Sequence, residues 1–173
     1  EYIPLESAVR SLFKDVEVLG ELGSFTPGPR GQKPLDLGGV RVGESICYES
    51  IYPQLWRSQN LQGAKLFVNL TNDAWFFKTA APYQHLAVNV LRAVETGRPV
   101  LRAANTGISA VIDPFGRIQE HTGLFTQEVL RAAVALPIGE RVNFYTQWGD
   151  WFAWLCAIFY FTLLISTMVF TYE

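Results

Sequence analysis

Residues 82–99 read Pro82-Tyr83-Gln84-His85-Leu86-Ala87-Val88-Asn89-Val90-Leu91-Arg92-Ala93-Val94-Glu95-Thr96-Gly97-Arg98-Pro99, and the fold turns on them. Pro82 suits a first helical turn. Leu86, Val90, Ala93 and Val94 form an apolar stripe at helical spacing, and Gly97 with Pro99 stops the helix. Before it, Lys65-Leu66-Phe67-Val68-Asn69-Leu70 is a short apolar run typical of a buried strand. After it, 99–104 and 107–112 read as two strands. Asp113-Pro114-Phe115-Gly116 is a turn with Pro second and Gly fourth, and 117–121 pairs back as a hairpin. Strand, helix, strand and hairpin predict a layered α/β (α+β) domain.

Working outward, Leu37-Gly38-Gly39-Val40 is a turn between short strands, and 40–47 alternates into an apolar end. Residues 52–62 suit a helix with Pro53 in its first turn. Upstream, 7–19 has the spacing of a short amphipathic helix, and the Pro- and Gly-dense 25–31 is a loop. Downstream, 129–136 alternates like a further strand. A boundary is expected at 139–150, a linker before the last apolar stretch.

Hydrophobic residues make up 49% of the chain and charged residues only 17%, against a usual charged share of about 25%. The deficit is local: residues 151–170 carry no charge, with Thr162, Ser166 and Thr167 the polar exceptions. As a helix this stretch spans about 30 Å, the thickness of a bilayer core. Trp148, Trp151 and Trp154 cluster at its start, as an interfacial aromatic belt would. A transmembrane helix over 151–170 with a tail at 171–173 is therefore expected; a long buried core helix is the alternative. The net charge of -2 and the lack of basic runs give no footprint for nucleic acid. The only methionine is Met168 and the chain opens on Glu1, which reads as part of a longer chain.

Cys47 and Cys156 are the only cysteines. Cys156 sits in the apolar stretch, far from any partner for a disulfide, and reads as a small hydrophobe. His85 and His121 have no metal-ligand spacing, so neither a metal nor another cofactor is implied. Ser45-Ile46-Cys47-Tyr48-Glu49 places a thiol at a strand end, where open sheets carry their active groups. If the backbone stayed extended, Cys47 and Glu49 would share a face. A carboxylate there would raise the thiol pKa, so a reactive thiolate needs a cation nearby. Asn69-Leu70-Thr71-Asn72-Asp73-Ala74-Trp75-Phe76, Arg92-Ala93-Val94-Glu95 and Asn105-Thr106-Gly107 complete the constellation. Each has a plainer reading alone: a structural cysteine, a turn with core aromatics, an exposed charge pair, a turn.

In this order the segments resemble the nitrilase (carbon–nitrogen hydrolase) superfamily, and within it the bacterial apolipoprotein N-acyltransferase family, over essentially the whole chain. The opening Glu1-Tyr2-Ile3-Pro4-Leu5 is similar to that family's Gly-Glu-Tyr-x-Pro segment. The resemblance implies a nitrilase-like α-β-β-α sandwich, of which 1–138 is the C-terminal part, followed by one transmembrane helix. It implies Cys47 as nucleophile, Glu49 and Glu1 as essential carboxylates, Tyr48 with its N–H and Asn72 beside the oxyanion, and a base glutamate and a lysine upstream of Glu1. Lys14, Lys33, Lys65 and Lys78 match no catalytic-lysine motif.

The family pattern Trp-Phe-Gly-Lys is here Trp75-Phe76-Phe77-Lys78, replacing a residue with easy access to positive φ. Trp75, Phe76, Phe77 and Tyr83 are the expected lipid entrance. The implied partners are a phospholipid acyl donor, a lipoprotein acceptor and a membrane, with no nucleic acid and no cofactor. The implied place is the bacterial inner membrane, with the catalytic domain facing the periplasm. A small-molecule amidase and a non-catalytic anchored domain are the competing readings. With base and lysine upstream, this chain alone is expected to be inactive.

Overall fold

The computed structural model describes residues 31–139 and 142–171, with side chains to residue 168. The helix expected at 7–19, most of the loop at 25–31 and Glu1 lie outside the described residues. Strands β1 (Leu35–Leu37), β2 (Val40–Ile46), β3 (Leu66–Asn72), β4 (Val100–Asn105), β5 (Ala110–Ile112) and β6 (Ile118–His121) form one sheet in sequence order. β2, β3 and β4 run parallel, and the outer pairs are antiparallel. The β1–β2 hairpin turns on Gly38 and Gly39, both at positive φ as a tight two-residue turn requires.

Parallel neighbours need crossovers, and two helices supply them. A 3-10 turn (Cys47–Ile51) and helix α1 (Pro53–Leu61) join β2 to β3; a 3-10 turn (Ala74–Phe76) and helix α2 (Ala81–Thr96) join β3 to β4. Pro53 opens α1, where its missing N–H costs nothing. Gly97 ends α2 in the left-handed conformation, its N–H returned to the last turn. Both helices pack on one sheet face, with Trp56 of α1 stacked on Phe67 of β3 at 4.7 Å. Leu86, Ala93, Val100, Ile108, Ala110 and Ile112 complete that core.

The buried side of α2 differs from the apolar stripe in its sequence. Leu86 and Ala93 are buried and Val90 half-buried, but Val94 is half exposed at the rim. His85, Asn89, Arg92 and Thr96 are buried instead. Val90 and Val94 support the turn at 113–116: a Cβ on Gly116 would meet Val94 at 2.8 Å and Val90 at 3.1 Å.

One further expectation changes. Residues 129–136 form no strand; they are mostly exposed, with Leu130 and Val134 half-buried. Alternation makes a strand only beside a partner edge, and no described segment pairs with it. Residues 142–150 pack against the helices. Asn143 caps helix α3 (Phe144–Trp148) by accepting from Thr146 N–H, and donates to the Val94 carbonyl. Arg57 donates to the carbonyls of Thr146 and Gln147, while the fully buried Asn60 reaches the Thr146 hydroxyl at 2.8 Å.

Helix α4 (Trp151–Thr171) follows at once. Its window Trp151–Met168 is long and apolar enough to cross a membrane, and none of it is buried against the rest of the chain.

Candidate active site

The C-terminal ends of the parallel strands meet in one place, where an open sheet presents functional groups. β2 ends at Ile46, and Cys47 turns the chain sharply, with φ +50. A non-glycine residue in the left-handed region costs about 1–2 kcal/mol, so its surroundings must hold it. Glu49 holds one side: its carboxylate accepts from Ile46 N–H at 2.7 Å. The conditional sharing of a face by Cys47 and Glu49 does not arise, because the strand stops and a 3-10 turn begins at Cys47. Tyr48 N–H lies in the first turn, where amides lack an intrahelical acceptor. The Tyr48 ring is half exposed.

The Cys47 carbonyl is held from the other side. Asn69 Nδ2 lies 3.3 Å from it and His85 Nε2 3.2 Å. Behind them is a buried polar layer. Arg102 donates to Asn69 Oδ1 at 2.6 Å and to Asp73 Oδ2 at 2.7 Å. Asp73 Oδ1 faces His85 Nδ1 at 3.0 Å and accepts from the Thr71 hydroxyl. Arg102 is also tied to the Ile108 carbonyl. Burial pushes the Asp73 pKa up, but the His85 hydrogen bond and the Arg102 charge outweigh it, and the net direction is down. Burial pulls the Arg102 pKa down, opposed by Asp73 and by the Cys47 sulfur.

The sequence pointed to this loop through Asn72. Asn72 is exposed, and its oxygen accepts from Ala74 N–H and Asn105. Asn69, Asp73, His85 and Arg102 form the buried contacts and were missed. The signal was positional: His85, Asn89, Arg92 and Thr96 recur at spacings of four and three. Arg92 is likewise buried, not an exposed partner of Glu95, which it meets at 3.2 Å. Burial raises the Glu95 pKa against that pairing. Gly107 is required here, because a Cβ would sit 2.4 Å from Asp73 Oδ2.

Of the aromatic residues, Trp75, Phe77 and Tyr83 are exposed at 76%, 72% and 57%. Phe76 turns in, its ring edge-on to His85 at 6.1 Å. Phe77 adopts φ +48 and ψ -151, a region that favours glycine. Lys78 lies over the Phe125 ring, and Lys65 bonds the Gly139 carbonyl. Among the described residues no cluster of His, Cys, Asp and Glu is arranged to hold a metal.

A cysteine held at a strand-to-helix elbow in this sheet is the arrangement of a carbon–nitrogen hydrolase. Residues 1–142 match the carbon-nitrogen hydrolase family, and the chain belongs to it. It is similar to the apolipoprotein N-acyltransferase of Geobacter metallireducens, at 44% identity over 90% of this chain and 29% of that protein. It is similar to that of Pseudomonas putida at 36% identity, over 91% of this chain and 30% of that protein. The chain thus spans less than a third of the length of these relatives. A solved carbon-nitrogen hydrolase from Helicobacter pylori G27 shares the fold, with a TM-score of 0.51 at 19% identity over 57% of this chain and 41% of that one.

Proposed function

We propose that this chain carries the nucleophile of an apolipoprotein N-acyltransferase that works by ping-pong acyl transfer. One observation carries the reading: Cys47 stands at a clamped, left-handed elbow at the end of β2, in a chain similar to proteins of that name. The Cys47 thiolate attacks the ester carbonyl of a phospholipid. A C–S bond forms, the ester C–O bond breaks, and a lysophospholipid leaves with a proton. The α-amine of a diacylglyceryl-cysteine at a lipoprotein N-terminus then attacks the thioester. An amide forms, and the thiolate is restored.

Tyr48 N–H is the proposed oxyanion donor at both steps. Glu49 keeps the elbow; Glu1 is a further proposed essential carboxylate and Asn72 a proposed neighbour of the oxyanion. The base glutamate and lysine that move the protons are those the family resemblance implies. Both substrates are lipids, which accounts for a helix such as α4 in a bilayer. The reading places the protein in a bacterial inner membrane with the catalytic domain in the periplasm.

Replacing Cys47 by Ser in the full-length protein tests this. Lipoprotein N-acylation falls to background; acylation that persists contradicts the assignment. Trp75, Phe76, Phe77 and Tyr83 form the proposed lipid entrance. Changing Trp75, Phe77 and Tyr83 together to Ser raises the apparent KM for phospholipid, and unchanged kinetics rejects the entrance.

A further inference from the structure

Two separate arms meet on one carbonyl oxygen, that of the nucleophile candidate itself. A guanidinium only donates hydrogen bonds, so the Asn69 atom facing Arg102 at 2.6 Å is the amide oxygen. The Asn69 NH2 group is thereby aimed at the Cys47 carbonyl at 3.3 Å and, beside it, at the Ser45 hydroxyl at 3.0 Å and the Ser45 carbonyl at 3.3 Å. On the second arm, Arg102 Nη2 donates to Asp73 Oδ2 and lies 3.2 Å from His85 Nδ1, which also faces Asp73 Oδ1. That leaves Nε2 facing the Cys47 carbonyl, with the Ser50 hydroxyl 3.1 Å away. In the tautomer in which Nδ1 accepts from the Arg102 guanidinium, Nε2 carries the proton and donates to that carbonyl. Asn69, Asp73, His85 and Arg102 are all at least 95% buried, so solvent does not compete for these bonds.

We propose that His85 and Asn69 are positioning residues that hold the Cys47 peptide in its left-handed turn and thereby aim its sulfur and the Tyr48 N–H at the acyl carbonyl. The proposal rests on Cys47 being the nucleophile. Cys47 pays for its positive φ with these two bonds. Without them the peptide relaxes toward negative φ and the sulfur swings away from its line of attack. A misplacement of that order costs on the order of 100-fold in rate, with little effect on lipid binding.

The two nitrogens of His85 can be tested apart. In the full-length protein, Gln at position 85 reproduces the Nε2 donor, whereas Asn reproduces only the Nδ1 contact with Arg102. Acyl-enzyme formation with a phospholipid gives kcat and KM, and thermal unfolding reports folding. His85→Asn lowers kcat by on the order of 100-fold at unchanged KM, and His85→Gln restores most of the loss. Asn69→Asp, which swaps the donor for an acceptor, behaves like His85→Asn and decides the matter if that variant does not fold.

Equal rates for folded His85→Asn and wild type, or a folded His85→Gln as slow as His85→Asn, overturn the proposal. So do losses that follow melting temperature alone, as simple packing would give. Cys47→Ser measured alongside separates the two claims. If it is inactive while His85→Asn is fully active, only the positioning role fails; if it is active, the nucleophile assignment fails.

Discussion

Alternate residues of β3 and β4 face opposite sides of the sheet, and the two sides carry different chemistry. On the helix-covered side stand Phe67, Asn69, Val100 and Arg102, all buried. On the other side stand Val68, Leu70, Leu101 and Ala103, all apolar, yet Leu70 and Ala103 are exposed and the others half-buried. The polar groups lie on the covered side because burial there strengthens the bonds that fix the Cys47 elbow. The apolar side is a sheet face with no layer of helices over it among the described residues. In a nitrilase-like sandwich that face meets a second sheet. Among the described residues one side is covered by helices and the other is open.

The largest effect should come from breaking the covered side's ion layer. Arg102→Met leaves Asp73 buried without its cation, which costs about 3–5 kcal/mol. Thermal unfolding of the full-length protein should show it, and a loss below about 1 kcal/mol would mean that the layer is solvated. Next comes the apolar side: Leu70→Ala in the full-length protein should cost about 2–5 kcal/mol, as a buried leucine does. A cost within about 0.5 kcal/mol would show that this face stays wet.

A smaller effect concerns pH. The folded-state pKa of Asp73 is below its ordinary 3.8, so the unfolded chain binds more protons in acid. The stability it contributes is complete above that ordinary value and is lost as pH falls through the lower folded value. Asp73→Asn should flatten this acid limb, and an unchanged limb would assign it to other carboxylates. The smallest effect is at the rim. Phe77→Gly relieves a strained backbone and removes an exposed ring, so it should leave stability unchanged or raise it by about 1 kcal/mol. A clear loss would mean that the Phe77 ring packs against something in the whole protein.

The local signals in the sequence were strongest where one residue has one physical meaning. Gly97 ended α2, the Asp113-Pro114-Phe115-Gly116 turn made the hairpin, and Pro53 opened α1. Cys47 could be singled out, because a thiol at a strand end has few roles. The layer beneath it could not, because periodicity assigns polar residues to the surface while His85 and Arg102 are buried through one another. Residues 129–136 misled for the opposite reason: alternation records a pattern, while a strand needs an edge to pair with. The docking of 143–148 depended on Asn60 and Arg57, more than eighty residues away. Phe77 shows that a side chain disfavouring positive φ does not forbid it when the loop demands it.

The most direct test of the account is the intact mass of the full-length protein after incubation with a phospholipid of known acyl chain. The account predicts one added acyl mass on Cys47, released by hydroxylamine as a thioester is, passed to a diacylglyceryl-cysteine peptide when one is supplied, and absent in Cys47→Ser. No adduct in active protein, or an adduct that survives the loss of Cys47, would contradict it.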